Sequence, residues 1–146
     1  MKLNVACGDD IREDFINIDK VDSGQEIVRD ITKGLPFSDN SADEILFKHA
    51  IEHLEFEEII FVMDEFWRVL KKGGLLKVVC PHRKSPGAFT ITHKSFIDEA
   101  TFDFFRQERS KKLYGINGLW KINEMIVNKG QEGEIKDIHV EMTPIK

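Results

Sequence analysis

The stretch from Ala42 to Cys80 constrains the fold of this chain more than any other. Ala42 to Phe47 reads as a strand, and Leu75 to Cys80, stopped by Pro81, as another that is apolar enough to be buried on both faces. Between them Ile51, Leu54, Ile59, Ile60, Met63, Phe66, Trp67 and Leu70 recur at helical spacing, which predicts one long amphipathic helix. Lys71-Lys72-Gly73-Gly74 supplies its stop, with cations beside the negative helix end and then glycine for a left-handed cap. Strand, helix and strand joined at this length imply parallel pairing through a right-handed crossover. The expected class is α/β, a doubly wound and mostly parallel sheet whose ligands bind beyond the carboxyl ends of its strands.

Three shorter runs precede this unit. Leu3 to Ala6 ends at Gly8 and two aspartates, while Phe15 to Asp19 and Glu26 to Asp30 each close on a carboxylate, as strands running into turns do. The first crossover has room for about one helical turn, near the lower limit for a parallel connection. After the central unit, Ser95 to Lys112 reads as a helix, with Ser95 and Asp98 as a capping box and Phe96, Phe102 and Phe105 facing inward. Trp120 to Val127 and Ile135 to Met142, joined by the turn from Gly130 to Gly133, read as a C-terminal antiparallel hairpin.

With 146 residues and no repeat or linker, residues 1–146 are expected to form a single domain. The net charge of −5 argues against phosphate backbones and anionic lipid, both of which need a cationic field, so neither nucleic acid nor membrane is an expected partner. Cys7 and Cys80 lie in apolar runs, where a free thiol behaves as a small buried hydrophobe. No apolar run approaches the ~18 residues of a membrane span and no secretory core opens the chain, which makes a cytoplasmic location the expectation.

The chemistry points to the strand ends. Gly8 lets the backbone approach a ligand without a Cβ in the way. Asp19 can accept both hydroxyl hydrogens of a ribose, and Asp30 stands within reach of an adenine edge. Asp19 follows Gly8 by 11 residues, and the G-x-G-x-x-G run is absent. A dinucleotide fold places its ribose acid about 20 residues on, so nicotinamide chemistry is disfavoured.

Taken together, Leu3 to Asp10, Phe15 to Asp19 and Gly34 to Asp43 resemble, in order and spacing, the compact branch of class I S-adenosylmethionine-dependent methyltransferases. Ile51-Glu52-His53-Leu54 and Arg68 to Gly74 extend the resemblance to about His82. It implies a methionine moiety along Ala6, Cys7 and Gly8, ribose hydroxyls on Asp19, adenine near Lys20, Asp30 and Ile31, and His49 on the cofactor side. Ala6 departs from the family's usual glycine and Asp14 from another. The family's N-terminal covering helices have no counterpart before the first strand, so an open acceptor side, or one closed by a partner, is expected.

His49 and His82, near the ends of the strands flanking the long helix, are candidates for steering or deprotonating an acceptor, or for a structural role. His49, Glu52 and His53 spell H-x-x-E-H, an inverted zinc-peptidase pattern, but they fall where the resemblance puts a helix start, and no metal is expected. His93 belongs to the loop on the substrate side, and Arg83, Lys84 and Lys94 could face an anionic acceptor. The expected activity is methyl transfer from S-adenosylmethionine to a small-molecule acceptor; the alternative is a degenerate cofactor-binding domain that regulates or scaffolds a partner.

Overall fold

A computed structural model describes all 146 residues. Seven strands form one sheet: β1 (Lys2–Val5), β2 (Ile16–Asp19), β3 (Ile27–Val28), β4 (Ala42–Lys48), β5 (Leu70–Pro81), β6 (Leu119–Lys129) and β7 (Ile135–Ile145). Their order is β3-β2-β1-β4-β5-β7-β6. The chain thus winds outward from β1 in both directions. β1 to β5 pair in parallel, and β7 runs antiparallel between β5 and β6, in agreement with the expected α/β class and hairpin. No helix is long and apolar enough to cross a membrane.

Helix α1 (Phe56–Val69) packs beneath the sheet because Ile59, Val62, Met63, Phe66 and Val69 share one face and are all buried. Phe66 meets Phe47 of β4 edge to face at 5.0 Å between ring centroids. The helix is shorter than its periodicity predicts. Ile51–His53 is a separate 3₁₀ turn, and the side chain of Glu58 folds back to accept the backbone N–H of Glu55, which starts the helix there. Its stop also differs. Val69 is the last helical residue, Leu70 is already paired with Ala42, and Lys71 to Gly74 loop out as an irregularity between that pair and Glu44–Leu75. Gly73 takes its positive φ of 78° within this loop rather than at a helix cap.

Leu76, Val78 and Cys80 are fully buried, whereas Leu75, Lys77 and Val79 on the other face of β5 are half-buried. Burial on both faces is therefore incomplete, and Lys77 uses that face to meet Glu44 at 2.9 Å. The stretch predicted as one helix after β5 forms two, α2 (Glu99–Phe104) and α3 (Glu108–Tyr114). Asp98 caps α2 by accepting from the N–H of Thr101, so the box is Asp98 with Thr101 rather than Ser95 with Asp98. Phe102 and Phe105 point inward, but Phe96 is exposed.

The first crossover holds no helix at all. Residues 6–15 form turns, and side chains satisfy their backbone. Asn4 and Asn17 are register partners on β1 and β2, both buried. Asn17 Oδ1 accepts from Asn4 Nδ2 and from the N–H of Arg12, while its Nδ2 donates to the carbonyls of Arg12 and Phe15 and to Glu26 Oε2. Asn4 Nδ2 also donates to the Asp10 carbonyl. Glu26 Oε2 accepts the backbone N–H of Asn17, closing the ladder where β3 is too short to do so. These bonds hold the Glu26 carboxyl below its ordinary pKa.

Asn17→Ala strips partners from Asn4 and Arg12 together and should cost about 2–4 kcal/mol in urea unfolding. Ala6 holds φ of 53°, the left-handed region that a Cβ disfavours. Ala6→Gly should raise the unfolding free energy by up to about 1 kcal/mol in the same assay, the strain relieved being partly offset by glycine's greater unfolded-state entropy.

Candidate functional site

The order of strands reverses between β1 and β4, so the chain leaves the sheet in opposite directions on either side of this line. Loops diverging from such a switch point leave a crevice at the carboxyl ends of the strands. Here the crevice is a cleft of about 750 Å³, within the range of small-molecule sites. Ala6, Cys7 and Gly8 leave β1 into it, Asp19 and Lys20 leave β2, Asp30 and Ile31 follow β3, and His49 follows β4. All eight residues that the resemblance assigns to a cofactor thus line one continuous space.

The turn after β1 is built to approach the end of β2. The N–H of Cys7 donates to the Ile18 carbonyl, and the N–H of Gly8 donates to Asp19 Oδ2 at 2.9 Å. Asp19 Oδ1 accepts the N–H of Val21 at 3.0 Å. Both carboxylate oxygens are thereby oriented, and each retains a lone pair for a ligand hydroxyl. Gly8 has φ of 51° and nothing within 4 Å of where a Cβ would stand, so its need for glycine is conformational. Burial, reinforced by the nearby Asp19 charge, pushes the Cys7 thiol above its ordinary pKa and keeps it protonated.

Asp30 has a second task. Its Oδ1 accepts from the hydroxyl and the N–H of Thr32, capping the 3₁₀ turn Ile31–Lys33, and these bonds lower its pKa. Asp9, Asp10, Asp19 and Asp30 together make this wall of the cleft acidic. Arg12 beside Asp10 holds that carboxyl low, so it is firmly ionised. Lys48, His53, Thr92 and Lys94 also line the cleft, none of which the resemblance had placed on the cofactor, and Lys48 pairs with Asp10 of the acidic wall at 3.7 Å. Thr92 and Lys94 reach the cleft because the loop after β5 folds back on the 3₁₀ turn after β4. Glu52's carbonyl accepts the N–H groups of Lys94 and Ser95, and Leu54's carbonyl accepts the Ser95 hydroxyl.

The histidines separate. His49 stands in the cleft with φ of 51°, its side chain nearly half exposed and its Nδ1 3.8 Å from Glu52 Oε1. His82 does not reach the cleft. It is 2% exposed; its Nδ1 accepts the N–H of Lys84 and its Nε2 donates to Glu99 Oε2, so neither nitrogen is free to take an acceptor's proton. The turn that follows β5, bridged to Ile97, draws the ring inward. His93, half-buried in the loop after β5, does not line the cleft. Arg83 pairs with Asp98 outside the cleft, and of the three basic loop residues only Lys94 borders it.

A family model described as a methyltransferase domain matches residues 4–78, which run from β1 into β5 and include both turns of the switch point. Over 100 residues the chain is 30% identical to an uncharacterized protein of Methanocaldococcus jannaschii, a match covering 64% of this chain and 43% of that one, so the chain spans less than half of that relative's length. Its fold is similar to a SAM dependent methyltransferase from Archaeoglobus fulgidus, with a TM-score of 0.67 at 15% identity over 97% of this chain and 85% of the other. It is similar also to the N-methyltransferase NodS from Bradyrhizobium japonicum in complex with S-adenosyl-l-homocysteine, with a TM-score of 0.65 at 12% identity over 99% and 78%. The family match covers half of the chain and the whole of the switch point, and the chain belongs to the methyltransferase-domain family, with the class I α/β fold that its sequence resembles.

Proposed function

We propose that this chain binds S-adenosylmethionine in the switch-point cleft and transfers its methyl group to a small-molecule acceptor. The observation that carries the reading is the oriented pair at the ends of β1 and β2, in which the Gly8 N–H fixes Asp19 beside the Ala6-Cys7-Gly8 turn. The residues fit the group. Asp19 keeps acceptor capacity for a ribose diol, and the acidic wall suits a ligand that carries a sulfonium and an ammonium. The cleft also has the volume for such a ligand. When bound, the cofactor supplies an activated methyl for in-line displacement.

The protein's part is positioning and exclusion of water. The β1 turn and Asp19 set the donor side. His53, Thr92 and Lys94, which line the cleft away from that turn in sequence, would meet the acceptor, and His49 has a ring able to steer a nucleophile or receive its proton. A cleft of this size suits a small molecule, and the net charge of −5 does not suit nucleic acid. A cytoplasmic setting agrees with two free, buried cysteines.

Isothermal titration tests the reading. S-adenosylmethionine should bind one per chain, and Asp19→Ala should weaken it at least about tenfold while the protein stays folded by circular dichroism. Absence of binding to the folded chain would sink the proposal. Binding without S-adenosylhomocysteine production across a panel of hydroxyl, amine and carbon acceptors would identify a cofactor-binding domain that does not turn over.

A further inference from the structure

Beside the cleft lies a cluster that methyl transfer does not require. Glu52, His53 and His93 each offer one ligand atom, and the three atoms lie within 4.8 Å of one another. Glu52 is 2% exposed and its Oε2 has no hydrogen-bond partner. A buried carboxylate oxygen without a partner costs free energy, and burial indeed pushes the Glu52 carboxyl above its ordinary pKa despite three nearby histidines. The two imidazoles are held in the way ligating histidines are held. Nδ1 of His53 stands 3.1 Å from the Thr92 carbonyl and Nδ1 of His93 3.2 Å from the Ala88 carbonyl. A carbonyl only accepts, so in both rings Nδ1 carries the hydrogen and Nε2 is left with its lone pair.

The backbone makes this arrangement a consequence of the fold. His53 follows Glu52 on the 3₁₀ turn after β4, and Glu52's own carbonyl accepts the N–H groups of Lys94 and Ser95, which fastens His93's loop over the turn. The two rings then meet edge to face, 4.7 Å between centroids. Lys94 directs its ammonium to Glu55 and Glu58, at 3.7 and 3.9 Å, and forms no ion pair with Glu52. His49 approaches Oε1 and leaves Oε2 free.

We propose that Glu52, His53 and His93 form a binding site for one divalent transition-metal ion at the acceptor edge of the cleft. Two imidazole nitrogens and one carboxylate oxygen suit zinc, iron(II) or manganese(II). Bonds of about 2.0–2.2 Å would bring tetrahedral ligand atoms to about 3.4 Å apart, so closing the site draws together three side chains whose ligand atoms now lie within 4.8 Å. Three protein ligands leave the ion an open position. His53 borders the cleft, which puts the ion beside it, and the open position can take water. The H-x-x-E-H pattern of the sequence thus contributes its last two residues, and the third ligand comes from a loop 40 positions beyond His53.

The test is titration of the chelator-stripped full chain with zinc, without S-adenosylmethionine, so that its outcome is separate from that of methyl transfer. One zinc per chain is expected, with a rise in unfolding temperature. Glu52→Gln and His93→Ala should each weaken binding at least about tenfold, whereas His139→Ala, on an exposed position of β7, should bind as the parent does. Cobalt(II) in place of zinc should give a visible d–d spectrum that changes in Glu52→Gln. His93→Ala alone decides the matter if Glu52→Gln does not fold. Less than about one-tenth equivalent bound at about 100 µM zinc, or equal affinity in parent and His93→Ala, overturns the proposal.

Discussion

The side-chain amide of Asn17 carries the burden that a helix carries in most parallel crossovers. A connection of ten residues between β1 and β2 leaves a run of backbone groups that must find partners. Asn17 supplies an acceptor to the N–H of Arg12 and donors to two carbonyls, and through Asn4 it also reaches Asp10. That fixes the turn from Cys7 to Phe15 against the sheet. The position of the Gly8 N–H on Asp19, and hence the geometry of the cleft's donor side, rests on this network rather than on apolar packing. Amides suit the task because they donate and accept at once on a face where no amphipathic helix lies.

A second polar anchor acts on the opposite flank. Arg68 near the end of α1 donates to the carbonyls of Leu35 and Phe37 and to Asp39 and Glu65, while Glu65 Oε2 accepts the N–H of Leu35. The segment from Gly34 to Asp43 that carries part of the family resemblance is thus a strap that runs into β4, held by the guanidiniums of Arg68 and, at the Gly34 carbonyl, Arg29. The sequence shows the strap as turn-forming residues. It does not show that a residue on the helix ties it down.

What could be read in the chain depended on whether local pattern and tertiary context agreed. β4, β5 and the hairpin are legible because alternation and turn residues point the same way as the packing. The site residues are legible for a related reason: they sit at strand ends, and a parallel sheet brings consecutive strand ends to one edge whatever the loops do. The helix start was not legible, since Ile51 and Leu54 continue the apolar period although the chain turns through a 3₁₀ segment before Glu55. Lys71 to Gly74 has the composition of a helix stop and is used as a looped irregularity in β5, because pairing of Leu70 with Ala42 competes with one more turn of helix. His82 sits at a strand end like His49, yet its environment is set by Lys84 and Glu99, partners that no spacing rule connects to it.

Most of the conflicts that remain in the folded chain lie together. Ala6 and His49 hold left-handed backbone, which costs a residue with a Cβ about 1–2 kcal/mol, and both lie where β1 and β4 open into the cleft. Glu52, with an unpartnered oxygen in the interior, is three residues further on. Asn40 is the one other non-glycine residue with positive φ, and it lies in a surface turn of a residue type that tolerates it. Away from that edge, Trp120 Nε1 on β6 is the other buried polar atom without a partner. A fold under selection for stability alone would relieve an alanine at φ of 53° with glycine and Glu52 with an apolar residue. Their concentration along a single edge of the sheet, on both sides of its switch point, is what is expected if that edge is held in place by the ligands it binds rather than by its own contacts.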